Sequence, residues 1–217
     1  MSPAPRRVLV LGSGRGTNFE ALADAADKHW RIVAVGSDRP DAPLLDRARR
    51  RDIEAFSVPP GSYPNRPAHD RALADAIARY RPDMIALAGY MRILGESVVE
   101  TWRGRMLNIH PSLLPAFPGL NTHARALEAG AAMHGATVHF VTPELDAGPR
   151  IVQGRTAVDR SDTVESLRRR VQALEHRIYP LAVAWLASGR LTMVAENAWL
   201  DGRMLKEPVV IEERSCA

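Results

Sequence analysis

The chain has 217 residues, 46% hydrophobic and 25% charged, which suits one soluble α/β domain, and no run approaches the roughly 18 apolar residues of a membrane span. Its net charge of +4 is modest and scattered, densest at Arg168 to Arg170 on the outer face of an expected helix, which argues against nucleic-acid binding. Lysine occurs only at positions 28 and 206 and the single cysteine, Cys216, is next to last, so P-loop and Schiff-base chemistry, disulfides, zinc-thiolate sites and a cysteine nucleophile fall away.

The opening MSPAPRRVLV lacks a signal peptide's long apolar region, so the protein is expected in the cytoplasm. Val8 to Leu11 reads as a buried strand that runs into a loop, Gly12 to Asn18, and then a helix from Phe19 to Lys28. Such a loop leaves backbone N–H groups free at a helix start, where an anion is favoured. The dinucleotide fingerprint G-x-G-x-x-G, aligned on Gly12 and Gly14, requires glycine where this chain has Thr17. A mononucleotide-like or sugar phosphate on Gly16, Thr17 and Asn18 fits better; the alternative is a tight turn with a Thr or Asn cap.

Ile32 to Val35, Ala42 to Arg51 and Ala55 to Val58 continue as strand, helix and strand, and this alternation implies parallel strands with right-handed crossovers. Arg66 to Tyr80 is an amphipathic helix that Pro82 ends before the strand Met84 to Ala88. The apolar stretch Gly89 to Leu94 then stands where a loop belongs. It is either a pocket wall for a flat ligand or a helix packed into the core.

Met106 to Gly119 is the expected reaction centre. Asn108 and His110 fall on one side of a strand that prolines at 111, 115 and 118 terminate, and the carboxyl ends of such strands are where open α/β sheets bind ligands. The alternative is a hydrogen-bonded Asn and a buried His at the core's edge. The loop must reverse sharply behind this strand, so a cis peptide is expected, above all at Leu114-Pro115.

Thr122 to Ala129 reads as a helix and Ala136 to Val141 as a strand, followed by a polar loop, Pro143 to Arg150, in which Asp146 alone is weak evidence of function. After the strand Ile151 to Val158, Asp162 and Glu165 resemble a capping box opening a long helix with Glu175 on the edge of its apolar stripe. Pro180 is expected to kink or break that helix, and a hairpin-like tail follows around Leu191 to Met204. The fold class expected is α/β: an open, mostly parallel twisted sheet with helices on both faces.

The segments GTN at 16 to 18, GYMRIL at 89 to 94, NIHPSLLPAFPG at 108 to 119, HFVTPELDAG at 139 to 148 and EHRIYP at 175 to 180 occur in the order found in a known family. The chain resembles, over essentially its full length, the phosphoribosylglycinamide formyltransferases, folate-dependent enzymes of purine synthesis. The resemblance implies one formyltransferase domain with a Rossmann-like fold over 1–217, its phosphate-binding half about 1–100 and its folate and catalytic half about 101–217. It also implies that Gly16, Thr17, Asn18, Phe19 and Glu20, with Gln172 and Glu175, bind glycinamide ribonucleotide, Glu175 meeting the glycyl amine. Arg66, Met91, Arg92, Ile93, Leu94 and Asn108 would line the site of the co-substrate 10-formyltetrahydrofolate.

Asn108, His110 and Asp146 match the family's catalytic trio, whereas Asn121 stands where some members carry a histidine and receives no role. In formyl transfer to an amine, Asn108 would donate to the oxyanion, worth about 3 to 4 kcal/mol in other acyl transfers. His110 would carry the proton, worth roughly 100- to 10,000-fold, and Asp146 would orient the ring and favour its charged form. No metal is implied, and the expected partners are small molecules, not nucleic acid or membrane, with the chain a monomer or homodimer. Formyltetrahydrofolate hydrolase and methionyl-tRNA formyltransferase share these motifs but carry an additional domain, for which 217 residues leave no room. A non-catalytic nucleotide- or sugar-phosphate-binding module is the alternative of a different class.

Overall fold

Side-chain alternation along the first strand, β1 (Arg6–Leu11), sets the layering: Val8 and Val10 enter one apolar cluster and Leu9 and Leu11 enter another on the opposite face. The computed structural model describes residues 4–213, and Cys216 lies outside them. Helices α1 (Thr17–Ala25), α2 (Pro43–Arg49) and α6 (Val164–Ala187) cover the first face, while α3 (Arg66–Arg79) and α4 (Glu96–Thr101) cover the second.

Strands β2 (Trp30–Ser37), β3 (Ala55–Ser57), β4 (Met84–Leu87) and β5 (Met106–His110) join β1 in parallel, as the alternating sequence pattern implies. After α5 (Thr122–Glu128) the direction changes. β6 (Met133–Phe140) is antiparallel to both β5 and β7 (Arg150–Ala157). The full order is β11-β7-β6-β5-β4-β1-β2-β3, in which β11 (Val209–Glu212) returns to the edge parallel to β7. The tail forms a small second sheet, β8 (Leu191–Val194), β9 (Asn197–Leu200) and β10 (Arg203–Met204).

Three local expectations need correction. α1 ends at Ala25, not Lys28, because Ala26 turns to an extended conformation and Asp27 accepts the backbone N–H of His29. The capping box of α6 is Thr163 with Ser166, and Asp162 instead accepts from the Ser166 hydroxyl and pairs with Arg170. Pro180 does not break α6: burial of Ile178, Tyr179, Ala182 and Val183 against the sheet offsets a hydrogen bond and ring clash that cost about 3 kcal/mol in an isolated helix. The Leu114-Pro115 bond is cis, as the proline spacing led us to expect. Among the described residues no helix is long and apolar enough to cross a membrane.

Candidate active site

On β5, Met106, Asn108 and His110 project to one face and Leu107 and Ile109 into the core on the other. Asn108 stands directly opposite His139 of β6, and its Nδ2 lies 3.1 Å from His139 Nε2. His139 Nδ1 sits 2.8 Å from the Phe140 carbonyl oxygen and carries the proton donated to it, and burial pushes the ring's pKa down to about 4. The neutral ring therefore offers Nε2 as an acceptor, which fixes the Asn108 amide with its NH2 group toward His139 and leaves a second N–H to donate.

His110 is buried, and each of its ring nitrogens faces an oxygen: Nε2 is 3.1 Å from the Phe117 carbonyl and Nδ1 is 3.4 Å from Asp146 Oδ2. Asp146 comes from the connection between β6 and β7, which folds back over this face with its backbone in the left-handed region at φ 53°. Its carboxylate is only 6% exposed, accepts the Gly119 N–H at 2.9 Å and lies 3.9 Å from His139 Nε2. One carboxylate thus ties the imidazole to the Pro-rich loop behind it.

A cavity of about 730 Å3 extends from this trio over the carboxyl edge of the sheet, with Asn18, Arg168 and Glu175 at one end and Tyr90 to Leu94 at the other. Gly16, Thr17 and Gln172 do not themselves line the cavity but lie close in sequence to its residues Asn18 and Glu175, and Gly16 adopts φ 82° at the start of α1, where an added Cβ would lie 2.8 Å from the Leu44 side chain and 3.0 Å from its Cα. Only glycine suits that position. Gln172 Nε2 donates to Thr17 Oγ1 at 2.8 Å, and Asn18 Nδ2 donates to Glu175 Oε2 at 2.7 Å, joining α1 to α6. The Asn18 Oδ1 atom is buried without a partner and is available to a donor on a ligand. Burial lifts the Glu175 carboxyl to about 7, opposed by the Asn18 hydrogen bond and the charge of Arg168.

At the far end, Gly89 to Leu94 is an irregular loop and not a helix, with Met91 65% and Ile93 60% exposed while Leu94 is buried. Apolar side chains left open to a cavity fit a flat aromatic ligand. Arg66 stands outside the walls and braces the loop, its Nη2 donating to the carbonyls of Ile93 and Leu94 at 3.2 Å each. Phe19 is fully buried in the core, so a ligand could reach only its backbone, and Glu20 is paired with Arg47 away from the cavity. Sequence reasoning gave no role to His139, because its antiparallel pairing with Asn108 is a feature of the tertiary fold. The i, i+4, i+7 spacing of Arg168, Gln172 and Glu175 could have pointed to Arg168.

The sequence pattern of the formyl transferase family matches residues 6–183. The phosphoribosylglycinamide formyltransferase of Escherichia coli (strain K12) is 46% identical over 91% of this chain and 95% of its own. The solved phosphoribosylglycinamide formyltransferase of Coxiella burnetii superposes with a TM-score of 0.91 at 46% identity, covering 95% of this chain and 99% of that one. A formyltetrahydrofolate deformylase from Pseudomonas putida KT2440 shares the fold at TM-score 0.81 but only 27% identity, with 92% of this chain and 72% of that one covered. The chain belongs to the phosphoribosylglycinamide formyltransferase family.

Proposed function

We propose that this cavity transfers a formyl group from 10-formyltetrahydrofolate to the glycyl amine of glycinamide ribonucleotide in de novo purine synthesis. The observation that carries this reading is that Asn108, His110 and Asp146 line one cavity together with Glu175 and the open apolar loop. The folate co-substrate supplies the formyl carbon. Met91, Arg92, Ile93 and Leu94 form the wall on which its pterin rests, braced from behind by Arg66.

Glycinamide ribonucleotide takes the other end, its phosphate on the N–H groups at Gly16 to Phe19, beside the lining residue Asn18, and its amine toward Glu175. The amine nitrogen first bonds to the formyl carbon, the bond from that carbon to the folate nitrogen then breaks, and one proton passes from the amine to the departing nitrogen. Asn108 donates its free N–H to the oxyanion that develops between these events. His110 moves the proton, and Asp146 holds the ring in place with its negative charge. The whole chain acts as one unit whose phosphate half lies about 1–100 and folate and catalytic half about 101–217. It works in the cytoplasm as a monomer or homodimer.

Calorimetric titration with each substrate separately tests the reading. Two independent binding isotherms are expected, and Asn108→Ala should keep the nucleotide isotherm and weaken the folate one while abolishing most transfer. A protein that binds the nucleotide but takes up no folate would instead be a sugar-phosphate-binding module.

A further inference from the structure

The phosphate end of the cavity lacks charge compensation in its obvious donors. The N–H groups at the start of α1, the Thr17 hydroxyl and the Gln172 amide are all neutral, and the buried ionisable group bonded to Asn18, Glu175, is an acid. A phosphate dianion placed there meets an acid group and no cation among these donors. Among the described residues, two arginines line the cavity: Arg92 on the loop at the far end, and Arg168 on α6.

Arg168 stands one helical turn before Gln172 and two before Glu175, so the three share a face of α6. Its charge reaches Glu175 and works against the burial that raises that carboxyl. The guanidinium is held as a fork by Glu165, with Nε donating to Oε2 at 3.0 Å and Nη2 to Oε1 at 2.7 Å. The two side chains are 31% and 58% exposed, and an ion pair in such solvent contributes little. Glu165 also has other cations at hand: Arg169 Nε lies 4.0 Å away, and the charge of Arg15, beside Gly16, reaches it.

We propose that Arg168 is the cationic ligand of the substrate phosphate, held by Glu165 and handed over to the phosphate when the nucleotide enters. This rests on the reading above, in which Gly16 to Asn18 receive that phosphate. A guanidinium fork matches phosphate oxygens as well as it matches carboxylate oxygens, and the dianion offers the larger charge. Arg169 and Arg15 keep Glu165 compensated after the exchange, so the hand-over requires only a side-chain rotation at a half-exposed site.

The test compares glycinamide ribonucleotide with its dephosphorylated riboside as formyl acceptors. Arg168→Gln should lower the preference for the phosphorylated acceptor, as a ratio of kcat/KM values, by about 10- to 100-fold, the size of a lost charged hydrogen-bond pair. Glu165→Gln should do the opposite and lower the KM for the nucleotide several-fold, because it frees the guanidinium; a pair that merely stabilised the helix would give no such gain. An unchanged preference in Arg168→Gln, or a raised KM in Glu165→Gln, overturns the proposal. Thr17→Val separates the two ways of failing. If it reduces the preference and Arg168→Gln does not, the phosphate site stands and Arg168 is not its ligand. If neither variant changes the preference, the phosphate site itself is misplaced and the proposal falls with it.

Discussion

Asp146 Oδ2 stands 3.4 Å from His110 Nδ1 and accepts the backbone N–H of Gly119 at 2.9 Å, so one buried carboxylate serves both the imidazole and the loop that follows it. Replacement by asparagine keeps the shape and an oxygen for Gly119 but removes the charge beside the ring. Single-turnover formyl transfer in Asp146→Asn should slow by about 100-fold or more, with each ligand's Kd within a few-fold of wild type. Normal turnover would reduce Asp146 to a loop support.

Asn108 depends on His139 for its orientation, since the neutral ring accepts one N–H and so directs the other. His139→Phe keeps a flat ring without the acceptor and frees the amide to rotate. We expect kcat to fall about 10- to 100-fold, part of the roughly 100- to 1,000-fold that loss of an oxyanion donor costs, with both KM values nearly constant. A KM increase with intact kcat would mean that His139 shapes the pocket and does not orient the amide.

These two contacts mark where the sequence was legible and where it was not. The strand pattern placed Asn108 and His110 on one face without any partner, because alternation is a local property. The same local logic placed the parallel core β1 to β5 and the glycine loop. Asp146 looked like an ordinary turn residue because its value arises from the β6-β7 connection folding over the sheet, a contact 36 residues away from His110 in sequence. His139 was hidden for the same reason, and so was β11, whose short, mostly apolar run Val209–Glu212 gives no sign that it closes the edge beside β7. Pro180 misled because propensity describes an isolated helix, while Tyr179 beside it is fully buried and donates to two strand carbonyls.

That tyrosine yields a stability prediction. Its hydroxyl bonds the carbonyls of Leu87 at 2.9 Å and Leu107 at 3.1 Å, joining α6 to the ends of β4 and β5. Tyr179→Phe leaves these buried acceptors one donor short and should cost about 1 to 3 kcal/mol. For a chain of this length that is a fall in Tm of about 3 to 10 °C, measured by calorimetry. An unchanged Tm would show that the carbonyls find other donors.

Glu175 should give stability an unusual pH dependence. Its carboxyl is raised from 4.5 to about 7 by burial, so between those values the folded protein holds a proton that the unfolded chain has released. The stability from this group is full below pH 4.5 and is lost as pH rises through about 7. Glu175→Gln abolishes the effect, so its stability relative to wild type should improve from about pH 5 to about pH 8 in denaturant melts. A difference that stays flat across that range would mean that water reaches the carboxylate.

One cavity that joins a formyl donor to an amine acceptor is tested by following the formyl carbon itself. The protein is mixed with 10-formyltetrahydrofolate labelled in the formyl group, with and without glycinamide ribonucleotide, and the product is identified in a single turnover. Label is expected on the glycyl nitrogen when the nucleotide is present, and almost none is released without it. Label appearing as free formate at the same rate with or without the nucleotide would contradict that expectation and make the protein a hydrolase.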